Sequence, residues 1–538
     1  MPTNILKSLL LVCLFSTTSI FSQEEFITGQ LLDAENGEPI VFATISVKDK
    51  AIGVISNLDG SFRVPERFKD FGSILEISSL GYVSMNILLF ELATNKTNII
   101  RLDPAIEILD EVVVEGVRKT PKRLVSEKRM SAVQIVQRAI KKIPLNYPTK
   151  PFTAIGYYRD FQLNDKNYKN LNEALLEVWD QGFGALDHET TKIRIFEYKR
   201  NLDFPIDSIA QKPYDYKSRD KTIPGAYMDN YGGNEFTILR IHDALRNNSI
   251  GAYDYVNVFA KDFQKNHFFK KEADVIFNNK SLFRISFTRN KGFTETTGNL
   301  YVSQDNFAIY KLEYSMYRNH KGNDRKRKRT KNLRPKEMLF ETVVGYHSID
   351  GLMYPDYQSM KNAFSIKEPP KFKINEVHYS LAKKHFVISL NNMANERDVL
   401  KKSNYKLRFK GNKLNIDKIV HIENEVILSP NRNSKNTNMM FDEISQTERK
   451  DILGNNIFTI ELEDIRDING NYINEPSYRD VKQYREFFVQ RIISKPGAMP
   501  NDSLYMNKNT PVFRSQPTSR PSNFADYWMN TPLPNIEE

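Results

Sequence analysis

Val41-Phe42-Ala43-Thr44-Ile45-Ser46-Val47 alternates, with Val41, Ala43, Ile45 and Val47 on one side and Thr44 and Ser46 on the other. A period of two with one apolar side is the pattern of a strand that buries one face. Outward from it, the runs between Ile27 and Leu102 are short. They are separated by Glu35-Asn36-Gly37, Asp59-Gly60 and Gly81, residue types that tolerate the positive φ of tight reversals. Strands at this spacing predict a self-contained β-sandwich over 24–104.

Five motifs inside that stretch carry a resemblance. Ile27-Thr28-Gly29-Gln30-Leu31-Leu32-Asp33, Gly37-Glu38-Pro39-Ile40, Ala43-Thr44-Ile45-Ser46-Val47, Ser56-Asn57-Leu58-Asp59-Gly60-Ser61-Phe62 and Ser79-Leu80-Gly81-Tyr82 follow one another as in the carboxypeptidase-regulatory-like domain. The resemblance implies a transthyretin-like fold of seven strands. In bacteria of the Bacteroidetes type this domain often precedes TonB-linked outer-membrane receptors, and it is a binding or scaffolding module, not a catalyst. Asn57 stands where the pattern usually has Asp, a mild change because either side chain can cap a turn. Leu109-Asp110-Glu111-Val112-Val113-Val114 resembles the strand that follows the domain in those receptors.

Lys7 followed by the apolar run Leu9 to Phe15 and a polar stretch up to Ser22-Gln23 predicts a secretory leader over 1–22. The run is shorter than the ~20 residues of a bilayer-crossing helix, and no later run approaches that length. Cys13, the one cysteine, lies inside the leader, so the mature chain is expected to lack disulfides, thiol catalysis and cysteine-based zinc sites. Loss of Lys7 lowers the formal charge from +11 to +10. The excess is spread along the chain without a nucleic-acid motif. This points away from nucleic acid and towards an envelope protein or an anionic envelope component as partner.

Residues 105–129 read as a strand and a basic linker. In 130–395 we expect one helix and an antiparallel β domain. Met130, Val133, Ile135, Val136, Ala139, Ile140 and Ile143 share a helix face that Pro144 stops, and a strand begins in Phe152 to Phe161. Further on, Phe283, Ile285 and Phe287, then Ala308, Tyr310, Leu312, Tyr314 and Met316, alternate with polar residues as strands do. Gly298 to Ile309 is similar to the strand, turn and strand of periplasmic half-barrels related to lipoprotein carriers. That likeness implies a curved sheet able to take an acyl chain. His320 to Lys336 carries nine Lys or Arg residues and one Asp, and is expected to be a solvated hairpin tip. Residues 396–495 are expected to form a smaller β region, with strands at Tyr405 to Phe409, Lys418 to Leu428 and Asn456 to Glu463, ending in a helix from Arg479 to Ile493. The tail 496–538 holds seven prolines and should run extended over the surface, anchored by Phe524, Tyr527 and Trp528.

The fold class is therefore mostly β with a few helices: a seven-strand sandwich, then a large antiparallel, half-barrel-like domain. No catalytic constellation emerges. None of the eight histidines begins His-x-x-Glu, and His347-Ser348-Ile349-Asp350 reads as a turn before Gly351. There is no His-Glu-x-x-His, Gly-x-Ser-x-Gly, phosphate loop or dinucleotide fingerprint. Asp467-Ile468-Asn469-Gly470-Asn471 lacks the ligand ladder of a calcium loop. Glu173 and Glu177 are a carboxylate pair that only geometry can judge. No catalytic, cofactor-binding or metal residue and no cofactor is assigned. The expected function is an exported, non-catalytic binding or structural protein of the bacterial envelope, in the periplasm or on a face of the outer membrane. The alternatives are a periplasmic lipid or lipoprotein carrier and a hydrolase whose site is unrecognised.

Overall fold

A computed structural model describes residues 25–48, 52–69, 72–105, 130–164, 167–215, 217–223, 233–251, 258–292, 294–318, 337–446, 458–499 and 501–533. Residues 1–22, expected to be a leader, nearly all of the 105–129 stretch and the basic 320–336 stretch lie outside them. Contacts divide the chain into two units, one of residues 1–215, 223–364 and 481–538, the other of 216–222 and 365–480.

The front of the first unit is a sandwich of seven strands: β1 (Phe26–Asp33), β2 (Thr44–Val47), β3 (Ile52–Ile55), β4 (Ser61–Pro65), β5 (Ile74–Ser78), β6 (Met85–Leu88) and β7 (Asn98–Leu102). They form two sheets, ordered β4-β1-β7 and β3-β2-β5-β6. The decisive stretch behaves as its alternation requires, since Ala43, Ile45 and Val47 are buried. The strand begins only at Thr44, because Phe42 turns the chain at φ 60°.

The rest of the first unit is built on a twelve-stranded sheet, open rather than closed into a barrel. Its strands in chain order are β8 (Phe152–Asn164), β9 (Asn167–Asp180), β10 (Lys192–Arg200), β11 (Lys221–Thr222), β12 (Phe268–Lys271), β13 (Val275–Phe277), β14 (Lys280–Lys291), β15 (Thr294–Ser303), β16 (Ile309–Arg318), β17 (Glu337–Ile349) and β18 (Leu352–Glu368), with the last strand of the chain, β26 (Ser477–Ile493), as the twelfth; β11, which pairs with Ser365 and Ile366 of β18, falls among the residues of the second unit. β16 and β17 pair with each other up to Arg318 and Glu337. Among the described residues four helices belong to this unit: α1 (Ala132–Asn146), α2 (Asp187–Thr190), α3 (Glu235–Ile241) and α4 (Phe259–Asn266). Helix α1 opens on a capping box in which Ser131 and Gln134 satisfy each other's backbone N–H groups. It runs two residues past Pro144, which lies within its last turns instead of ending it.

The second unit holds α5 (Glu396–Val399), α6 (Lys435–Gln446) and seven short strands: β19 (Ile374–Ser380), β20 (His385–Leu390), β21 (Tyr405–Phe409), β22 (Asn412–Leu414), β23 (Ile416–Ile422), β24 (Glu425–Pro430) and β25 (Phe458–Leu462). The strand expected from Lys418 to Leu428 is a hairpin, reversed at Glu423 with φ 52°.

The last strand corrects a larger expectation. Arg479 to Ile493 is not a helix but most of β26 (Ser477–Ile493), which lies between β8 and β18. Because both faces of this central strand are covered, Arg485 to Gln490 are all buried and the period of two disappears. The apolar residues of the two faces then mimic a helical stripe. The tail is irregular as expected, yet it does not stay on the surface: Tyr527, Trp528 and Asn530 are buried, and Trp528 belongs to the sandwich core.

Candidate functional site

Strand β8 reads Ile155-Gly156-Tyr157-Tyr158-Arg159-Asp160-Phe161, and strand geometry sends alternate side chains to opposite faces. Tyr157, Arg159 and Phe161 face the front sandwich, while Tyr158 and Asp160 face α3. Antiparallel pairing sets Arg159 opposite Glu486 and Asp160 opposite Arg485, so each face of the sheet centre carries one cation and one carboxylate. Gly156 is required here because a Cβ would meet the Phe488 carbonyl oxygen at 2.3 Å.

On the sandwich face, the fully buried Arg159 guanidinium donates to Glu486 at 2.5 Å and to Asn57 Oδ1 at 2.6 Å. Burial works against its charge, but the Glu486 carboxylate overrides this and holds its pKa above the ordinary value. Asn57 thus does more than cap a turn. Its Nδ2 donates to Ser61, while its Oδ1 is the front domain's acceptor for a cation on the large sheet. On the helix face, Arg485 pairs with Glu235 and donates to Asn362 and Tyr214. Asp160 accepts from Tyr158 and Asn172, and burial together with the nearby Glu235 pushes its pKa up to about 7. A third cluster joins Arg240 and Arg246 to Asp180 and Asp187. The gap remaining beside it, lined by Phe152, Arg246 and Phe487 among others, is about 20 Å³, room for about one water.

Between the sandwich and the sheet, still within the first unit, lies a cleft of about 290 Å³. Its walls include Phe42, Tyr82, Tyr310, Lys311, Asp356 and Tyr357. The ring of Phe42 stacks on Tyr357 with centroids 5.4 Å apart. Tyr357 in turn fits only because residue 345 is Gly, whose Cβ would stand 2.3 Å from that ring. Lys311 pairs with Glu313 at 2.9 Å. Asp356 meets His347 Nδ1 at 3.3 Å and accepts from Thr44 of the sandwich at 3.4 Å. Burial alone would lower the His347 pKa, but Asp356 holds it above the ordinary value. The volume is at the small end of small-molecule sites, and the mix of rings with a few charged groups is typical of them.

The residues singled out in the sequence do not converge. Glu173 accepts from Tyr157 and Asn201, whereas Glu177 pairs with Arg194. Four residues apart on one strand, they are separated by about 13 Å, beyond the roughly 5–10 Å of paired glycosidase carboxylates. Asp350 and Gly351 form a left-handed turn at the end of β17, but His347 points to Asp356 at the cleft. Asp467 accepts from the backbone N–H groups of Asn469 and Asn471, closing a turn around Gly470. Among the described residues no three His, Cys, Asp or Glu side chains are grouped so as to hold a metal ion, and no helix is long and apolar enough to cross a membrane. Arg159, Glu486, Asp160 and Arg485 were not recognised as a site. The available signal was charged residues within otherwise apolar stretches, Tyr157-Tyr158-Arg159-Asp160-Phe161 and Tyr484-Arg485-Glu486-Phe487-Phe488.

The model of the CarboxypepD_reg-like domain matches residues 27–114. TonB-dependent receptor SusC of Bacteroides thetaiotaomicron is 32% identical over 108 residues, which are 20% of this chain and 10% of the receptor. The chain therefore spans about a tenth of the length of that curated relative. Among solved structures, a putative outer membrane lipoprotein-sorting protein domain from Vibrio parahaemolyticus aligns at 12% identity and TM-score 0.21, covering 43% of this chain and 85% of that one. A LolA superfamily protein from Nitrosomonas europaea aligns at 13% identity and TM-score 0.19, covering 43% and 86%.

Proposed function

We propose that this chain, which carries a CarboxypepD_reg-like domain at residues 27–114, is a non-catalytic binding or scaffolding protein of a bacterial cell envelope and that the cleft between this domain and the large sheet is its ligand site. The observation that carries the reading is the way the domain is built in. It roofs a 290 Å³ cleft lined by residues of both parts, and Asn57 reaches into the sheet to the buried Arg159. A domain docked in this way positions a cleft. The carboxylates that chemistry would need are meanwhile each tied to a separate structural partner. A carrier would need a dry apolar hollow under the helices. Among the described residues, the void beside Arg246 there holds about 20 Å³ and is walled partly by charges.

The test is a thermal-shift screen of small ring-bearing polar compounds on the intact protein and on Ser79→Trp, which fills the cleft from the sandwich side. A compound class that raises the Tm of the wild type and not of the variant is expected. Equal shifts in both proteins, or turnover of the compound, would overturn the reading. Envelope placement is checked by fractionation, where recovery in the cytosolic fraction would contradict it.

A further inference from the structure

The tail does not join the sandwich as a strand would. Over Ala525 to Asn530 its carbonyl groups are received by side chains: Ala525 by Arg67, Trp528 by Gln490 at 2.9 Å, Met529 by Arg63 at 2.8 Å and Asn530 by Arg159 at 3.4 Å. Its side chains divide by parity. Trp528 enters the sandwich core, its ring 5.4 Å from Phe68 and its indole N–H donating to the Arg63 carbonyl. Two residues on, the fully buried Asn530 carboxamide is read at both ends, donating to the Ile55 carbonyl and to Asn57 while accepting from the Arg63 N–H. Tyr527 and Met529 face the other way, into the apolar cluster of the sheet.

Backbone carbonyls held by long cationic side chains, a deep indole anchor and one fully satisfied carboxamide are the contacts by which a preformed groove captures an extended peptide. We propose that the groove between the front sandwich and strands β8 and β26 is a peptide-recognition site, that its ligand class is an extended segment with Trp followed two residues later by Asn, and that Phe524–Thr531 is its tethered occupant. The site is distinct from the small-ligand cleft, which the β2 end of the sandwich lines. Asn57 and Arg159 keep Ser61, Glu486 and each other without the tail, whereas the Ile55 carbonyl, the Arg63 N–H and carbonyl and the Gln490 amide take their partners from the tail, so a vacated groove would present these groups to the next segment of matching chemistry. Occupation in cis therefore excludes a partner peptide until the tail leaves.

The experiment uses the full chain with a protease recognition sequence inserted after Ser522, where Ser522 and Asn523 are exposed. After cleavage of the folded protein, a fluorescent synthetic peptide of residues 523–533 is added below the melting temperature. The expected result is saturable incorporation with displacement of the native fragment. Unlabelled W528A and N530L peptides should compete about tenfold or more worse than the native sequence. Retention of the native fragment for many hours with no incorporation would make the tail an integral part of the core and overturn the proposal, as would equal competition by W528A. A chain ending at Ser522 gives a second readout. Saturable gain in its Tm on adding the native peptide supports the site, and absence of any gain overturns it.

Discussion

The second unit and the centre of the large sheet bury their interiors in opposite ways. In the second unit the cluster from Phe372 to Ile473 is built of apolar side chains, with Phe386 stacked on Phe458 at 4.6 Å, and ion pairs leave at least one partner in water, both in Lys406 with Glu463 and the Arg466 side in the pair with buried Asp398. In the sheet, Arg159 and Arg485 are among the largest fully buried side chains. Removing two charges from water costs about as much as their attraction returns, so the sheet gains little stability from arrangements that the second unit does without. What the charges add is register. A slip of one residue between β8 and β26 would send Arg159 to the helix face, away from both Glu486 and Asn57. The apolar core stabilises wherever it closes, whereas the charged one closes in one way.

The strongest attempt to break this contrast is Arg159→Met. It leaves Glu486 buried without its cation, and chemical denaturation should show a loss of about 3–5 kcal/mol. The double variant Arg159→Met with Glu486→Leu should recover most of that loss, while its amide NMR spectrum broadens because the register is less well specified. A double variant as unstable as the single one, or one with unchanged sharp spectra, would refute the register argument. Next in size is the second unit's counterpart, Ile388→Ala. Ile388 is fully buried, and its truncation should cost about 2–5 kcal/mol with no recovery from any second charge substitution.

This contrast also separates what the sequence discloses from what it conceals. The sandwich is legible where its strands keep one wetter face, as in Phe26–Asp33, where buried and half-buried residues alternate without exception. The strands from Lys280 to Arg318 were legible for the same reason. Strand β26 reads as a helix because a strand covered on both sides has no alternation to read, and because Arg485 and Glu486 look like solvent-facing residues until their partners on β8, Asp160 and Arg159, more than three hundred positions earlier, are known. Asn57 was read as a turn residue, which is locally correct. Its second role depends on Arg159 and Asn530, contacts that no local pattern encodes. Trp528 was expected as an anchor, but nothing in a proline-rich tail says which core an anchor enters.

A smaller effect sharpens the comparison on the helix face. The carboxyl of Asp160 has a folded pKa of about 7, raised by burial and by Glu235, against about 3.9 in an unfolded chain. The folded state thus binds this proton more tightly, so the contribution is fully present below about pH 4 and is lost as pH rises through 7. Between pH 5 and pH 8 the wild type should lose about 2–3 kcal/mol from this group. Asp160→Asn, which resembles the protonated form, should flatten that part of the stability profile and be the more stable protein at pH 8. A wild-type profile that is flat from pH 5 to pH 8 would show that Arg485 keeps Asp160 ionised, making the two faces of the sheet equivalent.

The smallest effect is expected where the second unit carries its charge. Lys406 and Glu463 pair across the surface with side chains 43% and 52% exposed, so water already solvates both ions and holding them together costs side-chain entropy. Such pairs contribute at most about 1 kcal/mol and are screened by salt. Lys406→Gln keeps the stem that lies on the strand surface and removes the charge alone. Its denaturation midpoint should match the wild type within error, in low salt and in high salt. Arg159→Met changes charge in the same sense but takes it from a site with no water, and the ratio of the two losses measures how far burial alone decides what an ion pair is worth in this molecule. If Lys406→Gln cost as much as Arg159→Met, the second unit would depend on its charges too, and the division between a stabilising core and a specifying one would fail.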